Sequence, residues 1–398
     1  MAFMAERIKL FVVCVGFTIF LPLGAASKQS MAASFSVVAA ILILTTFLSN
    51  PQKLIPNRYV LGSFILFCSY VAAIHLFSVS CEPCKSLILI KLLMLGLILW
   101  VASTDLTKFR YVPGPEIPFF IASGVLLTSI FLIIEFLTDG FVYRSLTDRL
   151  NDPEVSLSRY NRVTSALIIL VWPISAWFYF VKRYFLAAGL IVVVTFSAVL
   201  SHSSSAMVVS ILAPFVALLA CFWPIFTFWL GLVCLVIFSV LSPLLFVSLL
   251  TWVRPFADGL PPSTLDRIEI WHRSALAVFE SPWLGHGIGV TRYLPLPKEL
   301  SDKYKYHVTP TTHPHDAAIQ LWLELGFIGL TLFMLVLWFT IRPLTRISAC
   351  YRVAALASAS AVLFTSLVSF GLWQETWLGI IGMLVIWFKF FLQYSTDD

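Results

Sequence analysis

Charge is scarce in these 398 residues: Asp, Glu, Lys and Arg together make 12%, against about 25% in a soluble globular chain. No stretch is polar enough to read as a soluble domain. Nothing recurs at a period of about 20–50 residues, which excludes a solenoid or repeat array, and there is no low-complexity tract. Cysteine is sparse, with seven in all. Cys81 and Cys84 form CEPC in a short loop, and the other five lie in or beside apolar runs. A membrane dithiol oxidase would want a second pair on the same side. The pattern reads as a structural disulfide or unpaired thiols.

What fills the space is hydrocarbon. The chain is 60% hydrophobic, with 35 Phe and 13 Trp, and its mean hydropathy is +0.94. Apolar runs of about 20 residues recur from end to end, the length a helix needs to cross about 30 Å of lipid. They are continuous rather than alternating, so they read as helices and not barrel strands. The expected fold is an all-α polytopic membrane protein with about twelve spans. They fall near Ile8–Ala26, Met31–Ser49, Tyr59–Val79, Ser86–Ser103, Ile117–Thr138 and Val163–Val181. The second set is Tyr184–Leu200, Ser204–Phe222, Pro224–Leu250, Asp316–Ile341, Arg352–Phe370 and Thr376–Leu392. Trp223-Pro224 divides a run too long for one span, because proline interrupts a helix. The first span also has the look of a signal peptide, with Arg7 and Lys9 before the apolar core and Ala25-Ala26 behind it.

The net charge of +6 is an orientation signal and gives no case for nucleic acid. With the N-terminus inside, inner segments carry Arg7, Lys9, Lys53, Arg58, Lys108, Arg110, Lys182, Arg183, Arg342, Arg346 and Arg352. Short outer loops carry Lys28 and Lys85 alone. The positive-inside rule then places both termini inside. Two outer loops are long, about Asp139–Arg162 and about Thr251–His315. The chain divides into a first membrane part (residues 1–250), a periplasmic loop (251–315) and a second membrane part (316–398).

Five of the seven histidines, His272, His286, His307, His313 and His315, fall in the second loop or at its end. A solvated loop has no structural need of them. Ser263-Thr264-Leu265-Asp266 has the capping-box form. From it an amphipathic helix sets Ile268, Trp271, Ala275, Val278 and Phe279 on one face, to lie on the membrane or over a cavity. Arg267 sits in its first turn, either as a headgroup cation or as an anion clamp. The turn GHGIG (Gly285–Gly289) reads two ways. It either offers bare N–H groups to a phosphate or simply turns the chain back. Then comes His313-Pro314-His315-Asp316, with proline expected in the first turn of the tenth span. The helix dipole there keeps a histidine neutral, as a general base must be, and favours an anion. Asp316, Gln320 and Glu324 recur at i, i+4 and i+8, a polar stripe that in a membrane faces a cavity. His-x-His is also half of a zinc site, but no standard spacing completes it.

Arg267-xxx-Trp271, ESPWLGHGIG and HPHDAAIQLWLELGFIGL together resemble the shared domain of bacterial O-antigen ligases and O-antigen polymerases. That family's pattern is an arginine four residues before an aromatic, then P-x-x-G-x-G, then H-N-x-x-L-Q-x-x-x-E-x-G leading a membrane helix. By motif the resemblance covers about residues 197–340, and by span layout the whole chain. It implies a GT-C-like glycosyltransferase with no cofactor and no metal. The donor would be an undecaprenyl-pyrophosphate-linked glycan and the acceptor a hydroxyl of lipid A–core. The resemblance puts the catalytic histidine at His315 and the pyrophosphate-binding arginine at Arg267.

Two departures stand out. Asp316 replaces the usual Asn, where it serves at best to hold a histidine tautomer. SHSSSA (Ser201–Ala206) lacks the arginine that many members carry there. A second phosphate clamp then falls to Arg162, with Arg159 and Arg254 behind it, while His313, Asp316 and Gln320 shape the substrate site. An O-antigen or exopolysaccharide polymerase would use the same donor. A lipid-linked sugar flippase would instead place its polar groups near mid-membrane, where only Lys91 and Glu135 are candidates.

Overall fold

The computed structural model describes all residues except 1, 28, 78–81, 106–108, 110–112, 148–155, 202, 261, 296–310 and 396–398. Backbone alone is described at residues 2, 76–77, 82–88, 254, 257–258, 262–263 and 395. His307, Arg149, the CEPC cysteines and the side chain of Arg254 therefore lie outside the described parts.

The described chain is helical throughout. In hydrocarbon every backbone N–H and C=O needs a partner within its own segment, and runs of Leu, Ile, Val and Phe leave the helix as the answer. In order the helices are α1 (Ala2–Ala26), α2 (Ser30–Ser49), α3 (Arg58–Phe77), α4 (Glu82–Ser103), α5 (Glu116–Leu137), α6 (Phe141–Leu146) and α7 (Asn161–Phe180). They continue as α8 (Tyr184–Val199), α9 (Ser204–Phe222), α10 (Pro224–Val253), α11 (Pro262–Glu280), α12 (Ala317–Ile341), α13 (Ala349–Val368) and α14 (Glu375–Leu392). Among the described residues ten helices are long and apolar enough to span a membrane. Two of the twelve expected spans are shorter, Leu89–Ser103 and Tyr184–Val199. At 1.5 Å per residue α8 reaches only about 24 Å. The break at Pro224 is where the sequence places it, and α9 ends two residues earlier.

Helix α7 is the axis. Every side chain from Val163 to Phe178 is buried, because α8, α9, α13, α14, α1 and α5 all pack on it. A helix hydrophobic all round belongs in such a place. The outer helices turn large side chains to the lipid side instead, among them Phe119, Phe120, Phe215 and Trp229. Glu135, fully buried near the end of α5, serves structure. It accepts from Tyr160 Oη at 2.8 Å and from the Val142 and Tyr143 N–H groups at 2.8 and 3.2 Å, so it ties down α6.

Alternate loops gather at opposite ends of the bundle. At one end Trp100 Nε1 donates to Leu54 O at 3.1 Å, Asp105 N–H to Lys53 O at 3.3 Å, and Lys389 Nζ to Thr104 O. At the other, Ser205 Oγ meets Ser369 Oγ at 2.6 Å and His315 reaches the same serine. That second end carries both long loops and the histidines.

Helix α12 holds an unforeseen break. Gly326 has φ 65° and ψ −170° in the middle of it, a conformation close to one that only glycine readily adopts. The GHGIG turn fills the break. His286 N–H donates to Leu323 O at 2.8 Å and Gly287 N–H to Glu324 O at 2.9 Å. Phe327 and Ile328 N–H groups reach back to Pro282 O and Trp283 O at 2.8 and 3.3 Å. The backbones come so close that a Cβ on Gly285 would stand 2.5 Å from the Glu324 carbonyl carbon.

Candidate active site

Helix α11 supplies the first wall. It begins at Pro262, so Ser263 lies inside the first turn rather than capping it. Proline is well suited to that opening position. The helix packs on α10 and α12, burying Ile268, Ile270, Ala275 and Val278. Phe279, expected on the buried face, is half-exposed. Trp271 stacks on Phe246 of α10 with ring centroids 4.8 Å apart. Its indole N–H donates to Pro314 O at 2.9 Å. The aromatic of the arginine–aromatic pair is thus a hook that fixes the HPHD segment. Arg267, one turn earlier, has its charge close enough to act on His315. It has no hydrogen-bond partner among the described residues.

The HPHD segment is the second wall. Proline does not open the helix: Asp316 is the N-cap, accepting from Ile319 N–H at 2.8 Å, and Pro314 precedes it. His315 has φ 60°, the left-handed region, where histidine is tolerated better than most residues. Its Nδ1 lies 2.8 Å from Ser369 O. A carbonyl only accepts, so Nδ1 carries the proton and Nε2 keeps its lone pair. Ser369, not Asp316, sets the tautomer. Burial, offset by the Ser369 bond and reinforced by Arg267, holds the His315 imidazole below its usual range. It is neutral at pH 7. His313 stands 4.3 Å away, ring to ring. Burial first, then His315, Lys91, Arg162 and Arg292, push it down to about 3. Gln374 Nε2 donates to its Nε2 at 3.2 Å, and its Nδ1 meets Thr312 Oγ1 at 2.8 Å. Both His313 nitrogens are therefore occupied, whereas His315 Nε2 has no partner among the described residues.

The third wall is the α13–α14 loop, Ser369–Gln374, which the sequence reading passed over. Beyond holding both histidines it donates Leu372 N–H to Gln320 Oε1 at 2.8 Å and Trp373 Nε1 to Glu324 Oε2 at 2.6 Å. Glu324 Oε1 accepts from Gln320 Nε2 and from Gly289 N–H, both at 3.1 Å. The polar stripe does face a cavity, of about 240 Å³, lined by Gln320 and Glu324 but not by Asp316. Gly371 is forced by packing, since a Cβ there would stand 2.6 Å from the His313 ring.

Other expected residues divide. Arg162 is half-buried, and its charge is among those that weigh on His313. Arg159 does not reach it, because its guanidinium stacks on Tyr143 at 3.5 Å from the ring centroid. Four of the five GHGIG amides are already taken: Gly285 gives its N–H to Ser281 O, His286 and Gly287 theirs to α12 carbonyls and Gly289 its own to Glu324. His286 Nε2 bonds Ala277 O at 2.7 Å and His272 Nδ1 bonds Phe246 O at 3.4 Å, so both brace the loop. No three His, Cys, Asp or Glu side chains cluster as metal ligands among the described residues. SHSSSA borders the site through the Ser205–Ser369 contact.

Asp316 makes a prediction of its own. It is fully buried, and its Oδ2 lacks a partner. Burial, against the Ile319 and Ala318 N–H groups, pushes its carboxyl up from 3.8 to about 7. The folded chain then holds this proton more tightly than the unfolded one. That stabilisation is complete below the unfolded value and is lost as pH rises through about 7. Asp316→Asn keeps an oxygen for Ile319 and buries no charge. It should raise stability at pH 8 by up to about 4 kcal/mol, with the gain shrinking steadily on acidification. Thermal unfolding at pH 5 and pH 8 reads this, and an equal gain at both would show that the charge is not the cause.

The family described as O-antigen ligase matches residues 187–334, from α8 into α12, taking in Arg267, the glycine turn and HPHD. A Rickettsia bellii (strain RML369-C) protein with the description "Putative polysaccharide ligase" is 26% identical over 388 residues, 87% of this chain and 91% of its own length. One from Rickettsia felis (strain ATCC VR-1525 / URRWXCal2), with the same description, is 31% identical over 121 residues, 29% of this chain and 30% of its own. The likeness thus runs through the very segments that build the two-histidine site and, at lower identity, along most of the chain: over residues 187–334 it is similar to the O-antigen ligase family.

Proposed function

We propose that the protein is an O-antigen ligase, an inverting glycosyltransferase that moves a glycan from undecaprenyl pyrophosphate to lipid A–core. One observation carries this reading: His315 is held neutral with Nδ1–H on Ser369 O, leaving Nε2 open beside the unpartnered Arg267. Diphosphate is already a good leaving group, so the protein needs a base for a poor nucleophile and cations for the departing charge. The acceptor oxygen attacks the anomeric carbon from the face opposite the diphosphate. Its proton passes to His315 Nε2, and the breaking C–O bond leaves its electron pair on the diphosphate oxygen. Configuration inverts once. Arginine forks match phosphate oxygens in a bidentate way and take the place of a divalent cation.

The Lys/Arg bias supports an inner-membrane protein with this end of the bundle in the periplasm. A reporter fused near Tyr304 should then read periplasmic and one near Arg346 cytoplasmic. The opposite result would put the histidines on the wrong side for a periplasmic acceptor. The decisive test is gel analysis of lipopolysaccharide from a deletion strain. Loss of glycan from lipid A with full-length lipid-linked chains accumulating is the expected result. Attached chains of a single repeat would mark a polymerase, and normal lipopolysaccharide would remove both readings.

A further inference from the structure

We propose that the cavity beneath His313 seats the donor's diphosphate, with Lys91 and Arg292 as phosphate-binding cations additional to Arg267 and Arg162. This rests on the glycosyltransferase reading above. At about 240 Å³ the cavity falls below the roughly 300–1,000 Å³ of drug-sized sites, and so suits one small polar group rather than a length of glycan. Lys91, Arg292, Thr312, His313, Gln374 and Glu375 are among its walls. The acid deepest in it is already saturated, because Glu324 accepts from Gly289, Gln320 and Trp373. The Lys91 and Arg292 side chains have no hydrogen-bond or ion-pair partner among the described residues. Both line the cavity, Lys91 half-buried and Arg292 exposed. Two cations thus line one cavity, a charge that two linked phosphoryl groups would match.

Depth identifies the guest. Lys91 lies nine residues into α4 from Glu82, about 13 Å along the helix axis. A cation at that depth is costly unless it faces a cavity and a counter-charge. In a lipid-linked glycan the group nearest the hydrocarbon is the diphosphate, with the sugars farther out, whereas a core-sugar acceptor presents neutral hydroxyls well above the lipid. His313 sits in the same field. Lys91, Arg162 and Arg292 all oppose its protonation, so its neutral ring adds no fourth cation and leaves theirs to the anion.

The test uses full-length protein in nanodiscs, with undecaprenyl pyrophosphate and undecaprenyl monophosphate as binding probes. Lys91→Gln and Arg292→Gln should each weaken diphosphate binding about tenfold, the loss of one charge-assisted contact. They should weaken monophosphate binding less, and Lys91→Arg should retain most of the affinity. In turnover the donor KM should rise and the acceptor KM stay put. A rise in acceptor KM with unchanged diphosphate binding overturns the proposal, as does normal binding in both variants. If the wild type transfers glycan while the variants bind normally, the cavity assignment fails and the glycosyltransferase stands. If the variants lose diphosphate binding but no wild-type transfer occurs, the cavity stands and the glycosyltransferase fails. Should Lys91→Gln not fold, Arg292→Gln carries the test alone, because its side chain is exposed.

Discussion

His315→Ala should lower glycan transfer about 10²–10⁴-fold, the usual contribution of a positioned general base, while the protein still inserts and binds its donor. The reason is the asymmetry of the two histidines. His315 spends its Nδ1 proton on Ser369 O and keeps Nε2 open, whereas Gln374 and Thr312 take up both nitrogens of His313. His313→Ala should therefore cost less, through a loosened α13–α14 loop and not through lost proton transfer. Because His315 has a positive φ, alanine also strains the backbone there. His315→Asn separates the two effects, since asparagine tolerates the left-handed region but supplies no base. Both His315 variants should be equally inactive in a purified transfer assay. Near-normal ligation by His315→Ala with a dead His313→Ala would move the base two residues back. Activity in both would remove the histidine mechanism.

The fold was legible because lipid imposes one rule along the whole chain, and a run of twenty apolar residues obeys it whatever its neighbours do. Both long loops, the Pro224 break and the burial of Ile268, Ala275 and Val278 were readable from pattern alone. The break at Gly326 was not. A lone glycine in an apolar helix is ordinarily tolerated, and its conformation here depends on a turn some forty residues earlier entering the gap. The same contact settles the glycine-rich turn. GHGIG looks like a phosphate cradle when its amides are counted as free, and those of His286, Gly287 and Gly289 are not free once α12 is beside them.

The candidate site was half legible. Motif and charge mark His315, Arg267 and Arg162 in the sequence. The loop that holds the two histidines could not be read there, since its contacts to His315, His313, Gln320 and Glu324 span 54, 61, 52 and 49 residues. SFGLWQE carries one usable signal, a glycine with three polar residues between spans at the outer end. Arg159 failed for the opposite reason: a loop arginine is as ready to stack on tyrosine as to bind phosphate, and Tyr143 is in reach. Lys91 stands in the sequence as an isolated intramembrane charge, because nothing in α4 shows that it lines one cavity with Arg292 and His313.

Arg267→Lys should lower transfer roughly 10²-fold although charge is conserved, since an ammonium cannot make the paired bonds of a guanidinium to phosphate oxygens. Arg267→Ala should add a rise in donor KM, which His315→Ala should not. The pH profile separates two roles that the rate alone confuses. Arg267's charge is one of the influences that depress the His315 pKa, after burial. Removing it lets that pKa climb back toward 6.5, so Arg267→Ala should shift the acid limb of the transfer rate to higher pH. Arg267→Lys keeps the charge and should leave the limb in place while the rate falls. If both variants shift the limb alike, Arg267 acts mainly through the field at His315. If neither shifts it and donor KM is unchanged, Arg267 touches neither the base nor the diphosphate, and the clamp must be built from the cations around His313 alone.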